Sequence, residues 1–95
     1  MNPLERLQAW VSRQCDGDWE HGAGFRLETL DNPGWMLTVD LSATKYGSIG
    51  PLRMTEQRSE IDWIQLELTN ETFVACGGIA NLTEIVERFL SLVDR

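Results

Sequence analysis

A dense group of reactive side chains lies between residues 15 and 21. It contains a thiol, three carboxylates and the chain's only histidine: Cys15, Asp16, Asp18, Glu20 and His21. The alternate carboxylates resemble the start of a calcium loop, but the glutamate that such a loop carries at its twelfth position is missing. A zinc site would need further cysteine or histidine ligands. We therefore predict neither a metal site nor a catalytic residue here, and interpret the segment as a structured acidic loop that serves folding or binding.

The two cysteines are the remaining candidates for chemistry. Either thiol could act as a nucleophile with His21 as its base. Cys76 precedes Gly77-Gly78 at a predicted strand end, but the next helix is predicted to begin near Asn81, too far away to activate a thiolate. Two cysteines are also too few for a disulfide framework, so we predict free thiols in a reducing compartment. A small cysteine-dependent enzyme is the alternative to a binding protein, and a small-ligand module using Trp19 and His21 is a third hypothesis.

The charge balance narrows the class of partner. Fifteen acidic and eight basic residues give a net charge of −7. This charge argues against nucleic acid or an anionic membrane as the partner and suits a basic protein. Residues 16–31 and residues 56–71 each hold five acidic residues and a single arginine. Such runs are commonly solvated faces, but if the two stretches meet in space they form an acidic patch that steers a basic partner.

Four tryptophans are many for 95 residues. Trp10 lies on the apolar stripe of a predicted helix and Trp35 is in phase with apolar residues of a predicted strand, so both are predicted to lie in the core. Trp19 lies in a predicted loop, and Trp63 is out of phase with the apolar residues that follow it. Because tryptophan is enriched at binding hot spots, Trp19 and Trp63 are the predicted interface residues.

Apolar spacing predicts the elements that position these residues. Asn2-Pro3-Leu4-Glu5 has the features of a capped helix start, and Asn81 with Glu84 repeats the spacing of a capping box before a last helix. Between the two helices, alternation predicts four or five strands. Pro33-Gly34 predicts a turn in which Gly34 is free to take a positive φ. The predicted strands centre on residues 25–29, 35–41, 52–56, 64–68 and 72–76.

This order predicts one α+β domain over residues 1–95, in which an antiparallel sheet lies between an N-terminal and a C-terminal helix in the sequence. Each helix has one apolar stripe, so both helices should pack on the same face of the sheet. No segment has the length of a membrane span or the pattern of a secretory signal, so we expect a cytoplasmic protein. No cofactor is predicted, and the oligomeric state is left open.

Four stretches of the sequence are distinctive together: residues 4–10, residues 15–21 with their Gly-Asp-Trp-Glu-His run, Glu28 to Trp35 with its Leu-Asp-Asn-Pro-Gly-Trp run, and Gly77-Gly78. In these stretches the chain resembles the immunity protein 53 family of bacterial polymorphic toxin systems. The resemblance implies a protein that binds and neutralises a cognate toxin. A sulfurtransferase-like enzyme is less well supported, because neither cysteine lies in a loop with an arginine beside it.

The prediction that follows is a non-enzymatic toxin antagonist with an acidic, tryptophan-bearing contact surface. Its charge favours a basic toxin such as a nuclease, because nucleases carry positive surfaces that contact phosphates. The predicted partner-binding residues are Asp16, Asp18, Trp19, Glu20, His21, Asp31 and Trp63.

Overall fold

The computed structural model describes residues 1–22, 24–42 and 44–93. Two helices enclose five strands along the chain, as predicted. The elements are α1 (Pro3–Gln14), β1 (Phe25–Leu30), β2 (Gly34–Asp40), β3 (Leu52–Gln57), β4 (Trp63–Thr69), β5 (Thr72–Gly78) and α2 (Leu82–Val93).

Helix α1 begins with the predicted capping box. The Asn2 side chain accepts a hydrogen bond from the Glu5 N–H at 2.8 Å, and the Glu5 carboxylate accepts one from the Asn2 N–H at 3.4 Å. The corresponding box at Asn81 is not formed. The Asn81 N–H donates to the carbonyl of Gly78, and the Asn81 side-chain amide donates to Glu84 at 3.2 Å. The buried Asn81 side chain accepts a hydrogen bond at 3.4 Å from the N–H of the first residue of β4, so it ties the start of α2 to the sheet rather than capping the helix.

The five strands form one antiparallel sheet in the order β1-β2-β5-β4-β3. Three of the four pairings join strands adjacent in sequence, and the fourth joins β2 to β5. The β4–β5 connection is the two-residue turn Asn70-Glu71, in which both residues have positive φ, at 50° and 64°. That geometry matches the right-handed twist of the flanking strands. The predicted α+β class is confirmed.

Both helices pack on one face of the sheet, as predicted. The ring of Phe89 on α2 lies 5.1 Å from that of Phe73 on β5, and 4.9 Å from that of Trp10 on α1. Directly opposite residues of antiparallel strands point to the same face. The helix side is therefore lined by the buried residues Leu37, Val39, Ile64, Leu66, Leu68, Phe73 and Ala75. The opposite side, called here the open face, is covered by no helix among the described residues.

The turn between β1 and β2 differs from the prediction in one respect. Gly34 does not take a positive φ. It is required there because a Cβ at this position would collide with the carbonyl oxygen of Gly77 on the neighbouring strand β5. Close approach of two strands, and not turn geometry, explains the glycine. In the described part of the chain, no helix is long and apolar enough to cross a membrane.

Candidate functional site

The loop between α1 and β1 is held together by two of its carboxylates. Glu20 accepts hydrogen bonds from the N–H groups of Asp16, at 3.0 Å, and Gly17, at 2.8 Å. Asp16 accepts hydrogen bonds from the N–H groups of Asp18, at 2.9 Å, and Trp19, at 3.0 Å. The two side chains satisfy four backbone donors that no helix or strand would satisfy. Asp16 and Glu20 therefore have a structural role in this loop.

These hydrogen bonds also lower the pKa values of the two carboxylates. Backbone N–H donors, chiefly that of Trp19, hold the pKa of Asp16 below its usual range. The pKa of Glu20 is lowered as well, first by its own backbone N–H and then by those of Asp16 and Gly17, with a contribution from the charge of His21. Both carboxylates therefore stay ionised at neutral pH, and the loop presents negative charge to solvent.

Trp19, predicted from its loop position to be an interface residue, is buried in the core. Its side chain is 5% exposed, and its ring lies edge-on to that of Trp10 at a centroid distance of 5.9 Å. Its indole Nε1–H donates to the carbonyl oxygen of Asp40, at the end of β2, at 2.8 Å. The ring thus anchors the acidic loop to the sheet. It offers no surface to a partner in this conformation.

The anchoring brings the loop beside two acidic residues that the sequence analysis did not select. Trp19 bonds to the backbone of Asp40, and the N–H of Leu41 donates to the carbonyl of Glu71 at 2.8 Å. Both Asp40 and Glu71 therefore lie at the same end of the sheet as the loop. We call this region, comprising Asp16, Asp18, Glu20, Asp40 and Glu71, the acidic end. Among the described residues, none of these five carboxylates forms an ion pair with a lysine or arginine.

Asp18 and His21 are the predicted site residues of the loop whose side chains make no hydrogen bond within the described chain. Both are exposed. The backbone carbonyl of Asp18 accepts hydrogen bonds from His21 and Gly22, which closes the loop, but the Asp18 carboxylate makes no hydrogen bond within the described chain. Its charge is therefore free to meet a partner without a loss of internal bonds.

Asp31 and Trp63 lie elsewhere. Asp31 lies in the turn that precedes β2, whereas Trp19 bonds to the last residue of that strand. Seven residues of extended chain separate these ends by about 20 Å. Trp63 is half-buried at the start of β4, also at the end opposite the loop. Asp31 and Trp63 thus lie at one end of the sheet, separated by strand β5, and the remaining predicted residues lie at the other end.

The end that holds Asp31 has a different electrostatic character. There Arg58 lies within 2.9 Å of carboxylate oxygens of Glu56 and Asp62, and it also pairs with Glu84. Arg88 pairs with Glu56 and Glu84 at 3.2 and 3.1 Å. Arg58 holds the pKa values of Asp62 and Glu84 below their usual range. The acidic stretch of residues 56–71 is thus largely neutralised at this end, and its only contribution to the acidic end is Glu71.

Neither thiol has the surroundings of an activated nucleophile. Cys76 lies on the open face, opposite Met36 and Gln65 of the neighbouring strands, and burial raises the pKa of its thiol. A raised pKa favours the thiol over the reactive thiolate. Cys15 is exposed, and its Sγ–H donates to the carbonyl of Val11 at 3.3 Å. No cluster of three or more histidine, cysteine or acidic side chains in the described ranges is placed to hold a metal ion.

Comparison with known proteins gives one result. The family model for immunity protein 53 matches residues 4–94, nearly the whole chain. No curated protein and no solved structure shows significant similarity to it. The match supports a role in toxin immunity and the binding of a cognate toxin. The chain belongs to the immunity protein 53 family.

Proposed function

We propose that this protein neutralises its toxin by occupying a basic surface of the toxin with the acidic end. The observation that carries the proposal is the grouping of five carboxylates, from the loop, from the end of β2 and from the β4–β5 turn, without a lysine or arginine paired to any of them in the described chain. Within a family whose role is toxin immunity, such a surface is suited to steer and hold a basic partner.

The internal bonding of the loop supports the same proposal. A loop that is already held by carboxylate–backbone hydrogen bonds and by the buried Trp19 loses little conformational entropy when a partner binds. All four polar side chains of the loop are exposed, but those of Asp16 and Glu20 are engaged by backbone N–H groups, whereas those of Asp18 and His21 make no hydrogen bond within the described chain. We therefore assign the direct contact to Asp18 and His21, and the shape of the contact surface to Asp16 and Glu20.

The toxin class that best fits this surface is a nuclease. Enzymes that cleave nucleic acids carry positive grooves for phosphates, and a set of carboxylates at one end of a compact domain can occupy such a groove. Inhibition by occupancy requires no chemistry from the immunity protein. The raised pKa of Cys76, which disfavours the reactive thiolate, agrees with a role that needs no chemistry. The immunity protein must act where the toxin is active, and we propose that this is the cytoplasm.

The test is a binding measurement on the purified pair. Asp18→Lys reverses a charge that makes no hydrogen bond in the described chain, so it should leave folding intact and weaken toxin binding about tenfold or more. Glu60→Lys is the matched control, because Glu60 is also exposed but lies in the loop before β4, at the opposite end of the sheet. Isothermal titration calorimetry at low and at high salt measures the affinity of the unchanged protein and of each variant for the toxin.

Three results would count against the proposal. If Asp18→Lys and Glu60→Lys weaken binding equally, the contact is not localised at the acidic end. If binding of the unchanged protein does not weaken with added salt, the interface is not electrostatic. A Cys15→Ser, Cys76→Ser double variant that folds but no longer protects cells from the toxin would indicate the cysteine-dependent enzyme instead.

A further inference from the structure

Strand β1 is an uncovered edge of the sheet. It pairs with β2 on one side only, and its four central residues are exposed. The Asp40 N–H donates to the carbonyl of Gly24 at 2.9 Å, so the backbone groups of Gly24 point toward β2. Because this direction alternates along an antiparallel strand, Phe25, Leu27 and Thr29 direct their N–H and C=O groups away from the sheet. Within the described part of the chain these backbone groups have no partner, and another strand can pair with them.

The side chains of β1 carry a charge pattern that complements itself. Arg26 and Glu28 lie opposite Thr38 and Met36 and point to the open face. Neither forms an ion pair with a described residue. Leu27, which lies between them, points to the helix side and is 39% exposed. The strand therefore has an apolar residue at its centre with opposite charges on either side.

We propose that two copies of this chain associate by antiparallel pairing of their β1 strands, centred on Leu27. A two-fold axis through this point places Leu27 opposite Leu27 of the second copy, and Arg26 opposite Glu28 of the second copy. The Leu27 pair is hydrogen-bonded, since its backbone groups point outward. The two Arg26–Glu28 pairs are then non-hydrogen-bonded pairs, in which side chains approach most closely. The two sheets join into one.

Charge selects this register over its neighbours. A shift of the axis to residue 26 or residue 28 would place Arg26 opposite itself or Glu28 opposite itself, at the positions of closest approach. In either shifted register, the N–H and C=O groups of the central residue would point toward β2 and away from the partner strand. The other edge strand, β3, has no such pattern, because Arg53 pairs with Glu67 of β4 and Glu56 pairs with Arg58 and Arg88.

The helix side of β1 supplies apolar area to the same contact. An open groove of about 490 Å³ runs between α1 and β1, lined by Leu7, Val11 and Phe25 among others. In the paired arrangement, the Leu27 side chains of the two copies meet beside this groove. The contact thus combines unpaired backbone groups, two ion pairs and an apolar centre.

Sedimentation of the purified full chain, from about 1 µM to about 1 mM, tests the proposal in the range where small interfaces associate. The unchanged protein should sediment as a dimer at the upper end. Glu28→Arg and Arg26→Glu each convert both ion pairs to like-charge pairs and should each weaken the dimer about tenfold to a hundredfold. The double variant Arg26→Glu, Glu28→Arg restores both pairs in the reverse sense and should recover the dimer.

The control and the contrary outcomes are specific. Glu60→Arg changes the net charge as Glu28→Arg does but lies away from β1, so it should leave the dimer unchanged. Circular dichroism confirms that each variant folds. A chain that stays monomeric over the whole range would overturn the proposal. So would a double variant that fails to regain the dimer, or a monomer whose Glu28→Arg variant loses toxin binding, which would indicate that a strand of the toxin occupies this edge.

Discussion

Replacing Trp19 with alanine separates a core role for this residue from an interface role. Its ring is 5% exposed, packs edge-on to Trp10 and donates a hydrogen bond to the carbonyl oxygen of Asp40. Truncation of a buried tryptophan to alanine costs about 3–5 kcal/mol in free energy of unfolding. A domain of 95 residues has a total of about 5–14 kcal/mol, so the variant should lose a large part of it.

The expected loss is measurable by urea denaturation followed by far-ultraviolet circular dichroism. At about 4–8 °C per kcal/mol, the midpoint of thermal unfolding should also fall by at least about 12 °C. The stability of Trp19→Phe should lie between those of the unchanged protein and Trp19→Ala. Phenylalanine keeps an aromatic ring near Trp10 but leaves the Asp40 carbonyl without its donor, at a cost of about 1–3 kcal/mol. Trp63→Ala is the matched control. Trp63 is only half-buried, so we expect a loss of about 1 kcal/mol.

One pattern of results would refute this reasoning. If Trp19→Ala unfolds within about 1 kcal/mol of the unchanged protein and yet fails to bind the toxin, then the ring is a contact residue and its burial is not maintained in solution. If Trp19→Ala is strongly destabilised while Trp63→Ala folds normally and binds the toxin more weakly, Trp19 is a core residue and the toxin contact lies at the end of the sheet that holds Trp63, which would contradict the proposed contact at the acidic end.

Two further changes test the packing and the ion pairs. Gly77→Ala would place a Cβ 2.9 Å from the Ile85 side chain and 3.1 Å from a backbone oxygen, so it should cost about 1–3 kcal/mol, whereas Gly50→Ala, with open space around it, should be nearly neutral in the same urea titration. Arg58 lowers the pKa values of Asp62 and Glu84, so their stabilising contribution is complete above the usual carboxylate range and is lost as the pH falls from about 4.5. Thermal midpoints between pH 6 and pH 2 should therefore fall less steeply for Arg58→Met. A parallel fall would contradict that assignment.

Local patterns in the sequence were sufficient to predict the elements and the fold class. Alternation along residues 35–41 and 64–68 identified two central strands, because one face of each is buried and the other is not. The apolar stripe of the last helix predicted its packing side for the same reason. The order of the strands could not be read in this way. The pairing of β2 with β5 joins residues far apart in the chain, and alternation does not specify which strands are neighbours.

The candidate site was only partly predictable, again because distant contacts determine it. Trp19 lies in a loop without periodicity, and its burial depends on a carbonyl 21 residues later. Asp40 and Glu71 gain their place at the acidic end from strand pairing, so nothing in their immediate neighbours indicated it. Asp31 is close to the acidic loop in sequence, but the length of one strand separates them. The count of acidic residues along the chain therefore overestimated how many of them lie close together in the structure.

The proposed toxin contact and the proposed dimer are compatible, and together they predict a stoichiometry. β1 begins at the acidic end, and antiparallel pairing places the start of one β1 beside the end of the other. The two acidic ends then point in opposite directions along the joined sheet, so each copy can bind a toxin molecule without contact between the toxins. We expect a complex of two immunity proteins and two toxins by light scattering. Glu28→Arg should convert it to a complex of one and one with unchanged affinity per site, since Glu28 lies on the edge strand and not among the acidic-end residues.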